Sequence, residues 1–216
     1  MIEMNDYFSF HTATEPTKGG TLRYISKKYS CKSRSDLNGL MYKPYEIEST
    51  FVEIINKNKK TKIIGCIYRH PSMGIDEFNN FYLTPLLQKT TKENEDTFLL
   101  GDFNIDLLNY NHGKVVNYLD IMMSNLFLPH IILPTRITSR SKTLIDNIFT
   151  NTTNINSYIS GNITTTISDH LPQFLIIPNN MNNQVPRKHN FFKCDLHNFD
   201  KVSFIDEIQN INWTQT

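Results

Sequence analysis

Residues 45–55 alternate polar and apolar positions, and residues 62–68 form a denser apolar run beyond the polar turn at 56–62. Side chains two apart on a strand share a face. The first stretch therefore predicts a half-exposed strand and the second a more buried one, joined as an antiparallel hairpin. A shorter alternation at 21–25 follows Lys18-Gly19-Gly20, with basic residues Lys27, Lys28, Lys32 and Arg34 close behind. From Ile75 the period changes: Phe78, Phe81, Tyr82, Leu86 and Leu87 recur at helical spacing and predict a helix over 75–89. Val115, Leu119, Met122, Met123 and Leu126 predict a second helix after the Asn111-His112-Gly113 turn, its methionine pair filling core space. Further strands are predicted at 98–101, 131–133, 143–149 and 173–177, with weaker ones at 158–159 and 164–167. The strands at 131–133 and 143–149 read as a second hairpin. Residues 1–10 show little periodicity of either kind.

Strands outnumber helices, and the helices fall between them without strict strand–helix–strand alternation. That order predicts an α+β fold, or a layered sandwich of mixed sheets. After Pro178 the composition shifts to an Asn/Gln/Pro linker at 179–187 and one amphipathic helix over 200–211. Such a tail cannot bury a core alone. The expected division is a domain at 1–178 and an appended segment at 179–216.

With 39% hydrophobic and 12% aromatic residues against 20% charged, the chain can build a core. The net charge of +1 means that any nucleic-acid binding comes from a local patch. Cys31, Cys66 and Cys194 are odd in number and far apart, which suits neither a disulfide framework nor a zinc site. The acidic start lacks the features of a signal peptide, and no apolar run approaches the ~20 residues of a membrane span. A soluble intracellular protein is expected. Sequons at Asn151, Asn162 and Asn212 follow from an Asn- and Thr-rich composition.

Four positions at the ends of apolar strands, or within them, carry side chains suited to chemistry: Tyr68, Asp102 with Asn104, Asp146 with Asn147, and Asp169 with His170. In Gly101-Asp102-Phe103-Asn104 the carboxylate and the amide are two residues apart and project to one side, where open sheets place their sites. The same stretch also reads as a plain structural turn, and Ser168-Asp169-His170 also reads as a helix N-cap. Asp146 sits between apolar residues, where an unpartnered carboxylate costs several kcal/mol; His170 is a fitting partner. Hard oxygen donors without thiolates favour Mg2+ or Mn2+. The implied chemistry is metal-assisted phosphoester hydrolysis.

Gly101-Asp102-Phe103-Asn104, Thr143-Leu144-Ile145-Asp146-Asn147-Ile148 and Ser168-Asp169-His170 occur in that order. They resemble the endonuclease/exonuclease/phosphatase superfamily. Tyr68-Arg69-His70-Pro71, Pro134-Thr135-Arg136 and Gly19-Gly20 are most similar to the endonuclease domain of non-LTR (LINE-type) retrotransposons. The resemblance runs from about Tyr7 to Pro178, and the tail resembles the lead into a reverse transcriptase. It implies a DNase I-like, four-layer α/β/β/α sandwich of two mixed sheets, acting as a monomeric, Mg2+-dependent DNA-nicking domain in the nucleus. Its nick leaves a 3′-hydroxyl that primes reverse transcription.

By the same resemblance Asp102 orients and deprotonates the attacking water, and Asn104 holds the water and the scissile phosphate. His170 contacts a phosphate oxygen and is oriented by Asp146. Asp169 helps place the metal or the nucleophile, with Ser168 supporting it, so Asp102 and Asp169 are the expected metal residues. Tyr68 donates to the phosphate, as does Thr135. Arg136, Arg140 and Lys142 contact DNA phosphates; a solvated basic turn is the alternative there.

The family pattern also has a strand ending in Asn and a later segment ending in a metal-binding Glu, both upstream of the Gly-Gly strand. Only eighteen residues precede Gly19, and neither Glu3 nor Glu15 has the strand context of that ligand. The expectation is a domain lacking its first strands and its principal metal carboxylate. Two other readings stand beside the endonuclease: a catalytically silent remnant that at most binds nucleic acid, and a phosphomonoesterase of the same superfamily.

Overall fold

The computed structural model describes residues 4–12, 20–55, 60–152, 157–178 and 200–210. Gly19, Glu3, Glu15, Cys194, Asn212 and the 179–187 linker lie outside the described residues. The chain divides into two units, Met1–Pro178 and Asn179–Thr216. In the second, α5 spans Lys201–Asn210. No helix among the described residues is long and apolar enough to cross a membrane.

A six-stranded mixed sheet forms the centre of the first unit, in the order β3 (Ser30–Ser33), β4 (Ile47–Ile55), β5 (Lys62–Arg69), β6 (Asp96–Asp102), β10 (Asp146–Thr150) and β7 (Leu128–Pro129). β4 and β5 are the expected antiparallel hairpin, whereas β5 and β6 run parallel. The crossover between them is helical over residues 75–93. It comprises α2 (Ile75–Glu77), a π-helical turn (Phe78–Leu83) and α3 (Thr84–Glu93), followed later by α4 (Gly113–Ser124). The helices expected from apolar spacing are thus present, and α1 (Ser35–Leu40) is an addition.

The helices cover one face of the sheet. Phe51, Ile63, Ile67, Leu99 and Phe149 meet Phe78, Leu83, Leu86, Leu87, Tyr118 and Met122 there in a single buried core. The opposite face carries the small sheet β1 (Tyr7–Thr12) with β2 (Thr21–Ser26), and the pair β11 (Ile159–Asn162) with β12 (Gln173–Ile176). Arg23 of β2 donates to the Ile64 and Thr50 carbonyls, and Leu175 of β12 packs against the buried cluster of Ile131, Leu144 and Ile148.

This second layer reverses the expected burial of the hairpin. β4 is buried on both sides over Ile47–Val52, because the Thr50 hydroxyl and carbonyl are engaged by Thr21 and Arg23 of β2. β5 alternates instead between buried and half-buried positions.

Other strand assignments shift as well. β1 lies where no periodicity was seen, its outward residues being mostly exposed aromatics and polar groups. Residues 131–133 are not a strand: only Ile131 is buried, while Ile132 is 76% exposed. The hairpin in this region is β8 (Arg136–Ile137) with β9 (Lys142–Thr143). Residues 164–167 form no strand.

Candidate active site

Across the central sheet one row of residues is aligned strand to strand. Glu48 of β4 pairs with Tyr68 of β5, Tyr68 with Asp102 of β6, and Asp102 with Asp146 of β10. Directly paired residues project from the same face, and here that face is the one opposite the helices. β5 and β6 both finish at this row and β10 begins there, so the side chains stand at the strand ends.

Gly101 lets the row close. Its φ of 145° is one that residues with a Cβ rarely adopt, and a Cβ there would run into the Ile67 carbonyl of β5. The chain then turns. The Asp102 carboxylate accepts the Asn104 N–H at 2.9 Å, and Asn104 takes a left-handed φ of 49°. The Asn104 side-chain amide donates to the Arg69 carbonyl at 2.8 Å, which ties the turn to the end of β5. Asn104 is therefore part of the turn's scaffold as well as a neighbour of Asp102.

Asp146 is buried, and its backbone N–H donates to the Thr135 hydroxyl at 3.0 Å. The same hydroxyl accepts the Ile145 N–H at 3.2 Å, and Thr135 itself is fully buried. In place of the phosphate contact expected of it, Thr135 fixes the entry into β10. Asn147 points the other way, exchanging hydrogen bonds with the Ile131 backbone.

His170 arrives from a third segment. Backbone bonds Ile137 N–H to Asp169 O and Leu171 N–H to Thr135 O lace 169–171 against 135–137. The lacing brings His170 Nδ1 to 3.0 and 3.2 Å from the two Asp146 carboxylate oxygens. Asp102, Asp146 and His170 thereby place one ligand atom each within 4.8 Å of one another.

Asp169 is not in that group. It is exposed and paired with Arg136 at 2.8 Å, with the Ser168 hydroxyl donating to it at 3.4 Å. Of the two expected metal residues, Asp102 lies in the cluster with Asp146 and His170, and Asp169 lies outside it. Arg136, expected on DNA, is in this arrangement also the partner of Asp169, while Arg140 and Lys142 are exposed on the hairpin tip.

Electrostatics follow from burial and from the row itself. Desolvation raises the Asp102 pKa; the Asn104 N–H opposes this and the Asp146 charge adds to it. Tyr68 is likewise pushed up, first by burial and then by the charges of Asp102 and Glu48. Asp169 is held below the usual carboxylate range by its bond to Arg136.

Glu48 was not expected here. It is 4% exposed, and its carboxylate accepts the Gly20 N–H. The signal for it was the hairpin register, which places it opposite Tyr68.

The donor set suits a hard divalent cation. It comprises two carboxylates facing one another and one imidazole, with no thiolate. Asp102 and Asp146 would offer such an ion its hard oxygen donors, beside His170, whose Nδ1 is engaged by Asp146.

No protein-family model and no curated protein matches this sequence. Solved structures do. The endonuclease domain of TRAS1, a telomere-specific non-LTR retrotransposon, superposes with a TM-score of 0.59 at 11% identity over 80% of this chain and 78% of that one. TDP2 from D. rerio, complexed with a single-strand DNA product, gives 0.53 at 12% identity over 77% and 74%. A Bacteroides thetaiotaomicron mannosyl-6-phosphatase gives 0.51 at 15% over 81% and 78%. The fold is therefore the DNase I-like fold of the endonuclease/exonuclease/phosphatase structures, a mixed α+β architecture around one central sheet.

Proposed function

We propose that this chain hydrolyses phosphodiester bonds in DNA with the help of a divalent cation, as a nicking endonuclease of non-LTR retrotransposon type. The observation that carries this reading is the convergence of Asp102, Asp146 and His170 from three separate segments to within 4.8 Å. A fold shared with the TRAS1 endonuclease domain supports it.

Asp102 takes a proton from the attacking water as the water oxygen bonds to phosphorus. Burial raises its pKa, while a cation bound beside it would lower it. His170 presents Nε2 to a phosphate oxygen, because Asp146 holds Nδ1 and so fixes the tautomer. Tyr68 donates its hydroxyl to the phosphate; its raised pKa keeps it protonated. Asn104 holds the turn that carries Asp102. The bond from phosphorus to the 3′-oxygen breaks and that oxygen takes up a proton, leaving a 3′-hydroxyl. Mg2+ or Mn2+ held by Asp102 and Asp146 would neutralise charge on the phosphate and make a water more acidic. The exposed tip residues Arg140 and Lys142, with Arg136, supply backbone contacts on DNA.

A second reading keeps the chemistry and replaces DNA with a phosphomonoester; the fold shared with a mannosyl-6-phosphatase favours it. Two assays on the purified chain separate the readings. Nicking of supercoiled plasmid in Mg2+, lost in Asp102→Ala and His170→Ala, supports the endonuclease. Release of phosphate from p-nitrophenyl phosphate without nicking supports the phosphatase.

A further inference from the structure

Arg69 follows Tyr68 and therefore points to the opposite face of β5, behind the site. Its side chain is 1% exposed, and it lies 5.9 Å over the Phe78 ring. Nε donates to the Phe103 carbonyl at 2.6 Å and Nη2 to the Asn104 carbonyl at 2.7 Å, while Nη1 donates to the Met73 carbonyl. Among the described residues its guanidinium forms no ion pair. Burying a cation among neutral acceptors is costly, so this arrangement needs a compensating reason.

We infer that Arg69 is a positioning residue for the proposed reaction, whose buried guanidinium holds the Asp102–Asn104 turn from behind. Two consecutive carbonyls converge on one edge of the planar fork. The turn that presents them is left-handed at Asn104, a conformation that most L residues avoid and asparagine tolerates. The tie is reciprocal, since the Asn104 side-chain amide returns a hydrogen bond to the Arg69 carbonyl. One residue thus joins the end of β5, where Tyr68 projects into the site, to the turn that orients Asp102. Lysine can supply the charge but not the two parallel donors.

The inference rests on the endonuclease reading for its kinetic consequence, but its geometric content is independent of activity. Arg69→Lys in the full chain is expected to lower the kcat for plasmid nicking about 10- to 100-fold, with KM within about twofold, as for residues that orient catalytic ligands. The Asn104 side-chain NH2 resonances are expected to move and to exchange with solvent faster. Arg34→Lys serves as the control: this arginine is tied to Asp36 and Glu93 outside the site, and its substitution leaves both readouts unchanged. If the wild-type chain does not nick DNA, the functional reading fails, and the Asn104 resonances alone decide the positioning role. Should Arg69→Lys not fold, the wild-type Arg69 Nε–H decides. A solvent-protected resonance with cross-peaks to Phe103 and Asn104 supports the inference, and a rapidly exchanging one overturns it. Unchanged kcat and unchanged Asn104 resonances in a folded Arg69→Lys variant also overturn it.

Discussion

Asp102 stands directly opposite Asp146 across the antiparallel β6–β10 pair, so two carboxylates share one face of the sheet at the same level. Like charges so placed oppose folding, and burial raises the Asp102 pKa further. An acid whose pKa is raised in the folded state loses stability as pH climbs from its unfolded value through its folded one, because the folded chain then binds more protons than the unfolded one. At neutral pH Asp102 is therefore a net cost. Asp102→Asn should raise the melting temperature by a few degrees, on the order of 1 kcal/mol, while abolishing nicking. The gain should shrink as pH falls toward the ordinary carboxylate range. Calorimetry across pH checks it.

Tyr68 reports on the same charges from the neighbouring strand. Burial is the largest cause of its raised pKa, followed by Asp102 and Glu48. Glu48→Gln and Asp102→Asn should each lower the phenol pKa toward its ordinary value without returning it fully. Ultraviolet or NMR titration of the phenol measures this. A Glu48→Gln variant with an unchanged Tyr68 titration removes Glu48 from the row's electrostatics.

His170 and Asp146 act as one unit if Asp146 works by fixing the ring. His170→Ala should cost about 10²- to 10⁴-fold in nicking rate. The Asp146→Asn, His170→Ala double variant should lose little more than His170→Ala alone. Losses that multiply would show that the two residues act separately.

Arg136 and Asp169 lie at the exposed rim. Arg136→Gln should let the Asp169 pKa rise toward its ordinary value, since the guanidinium bond is the main cause of its depression. No measurable change in melting temperature should follow, as is usual for exposed pairs. On DNA, Arg140→Ala and Lys142→Ala should each reduce the slope of log affinity against log salt by about 1, weakening all sequences alike. Fluorescence anisotropy at several salt concentrations measures that slope.

Spacing alone revealed the hairpin β4–β5, the helical segment after Ile75 and α4, because most of their apolar residues face one core; Phe81, Met123 and Leu126 are exposed, so the methionine pair fills core space only through Met122. It misjudged β4, whose polar Thr50 is buried by hydrogen bonds from β2 that no local pattern records. The apolar run at 131–133 misled in the opposite sense, since Ile132 and Leu133 face solvent. The residues of the site were legible as types at strand ends. Their grouping was not, because Asp102, Asp146 and His170 meet only through register and through the lacing of 169–171 against 135–137. Asp169 and His170 are adjacent in sequence yet point to different partners, Arg136 and Asp146. Arg69 was hidden because a charged residue at the end of a strand ordinarily reads as exposed.

The most direct measurement is conversion of supercoiled plasmid to the nicked circle by the purified chain in Mg2+, beside Asp102→Ala and His170→Ala prepared identically. Nicking by the wild-type chain that EDTA abolishes and both substitutions remove is the expected result. A folded wild-type chain that nicks no faster than either variant contradicts the assignment of Asp102, Asp146 and His170 as a hydrolytic centre.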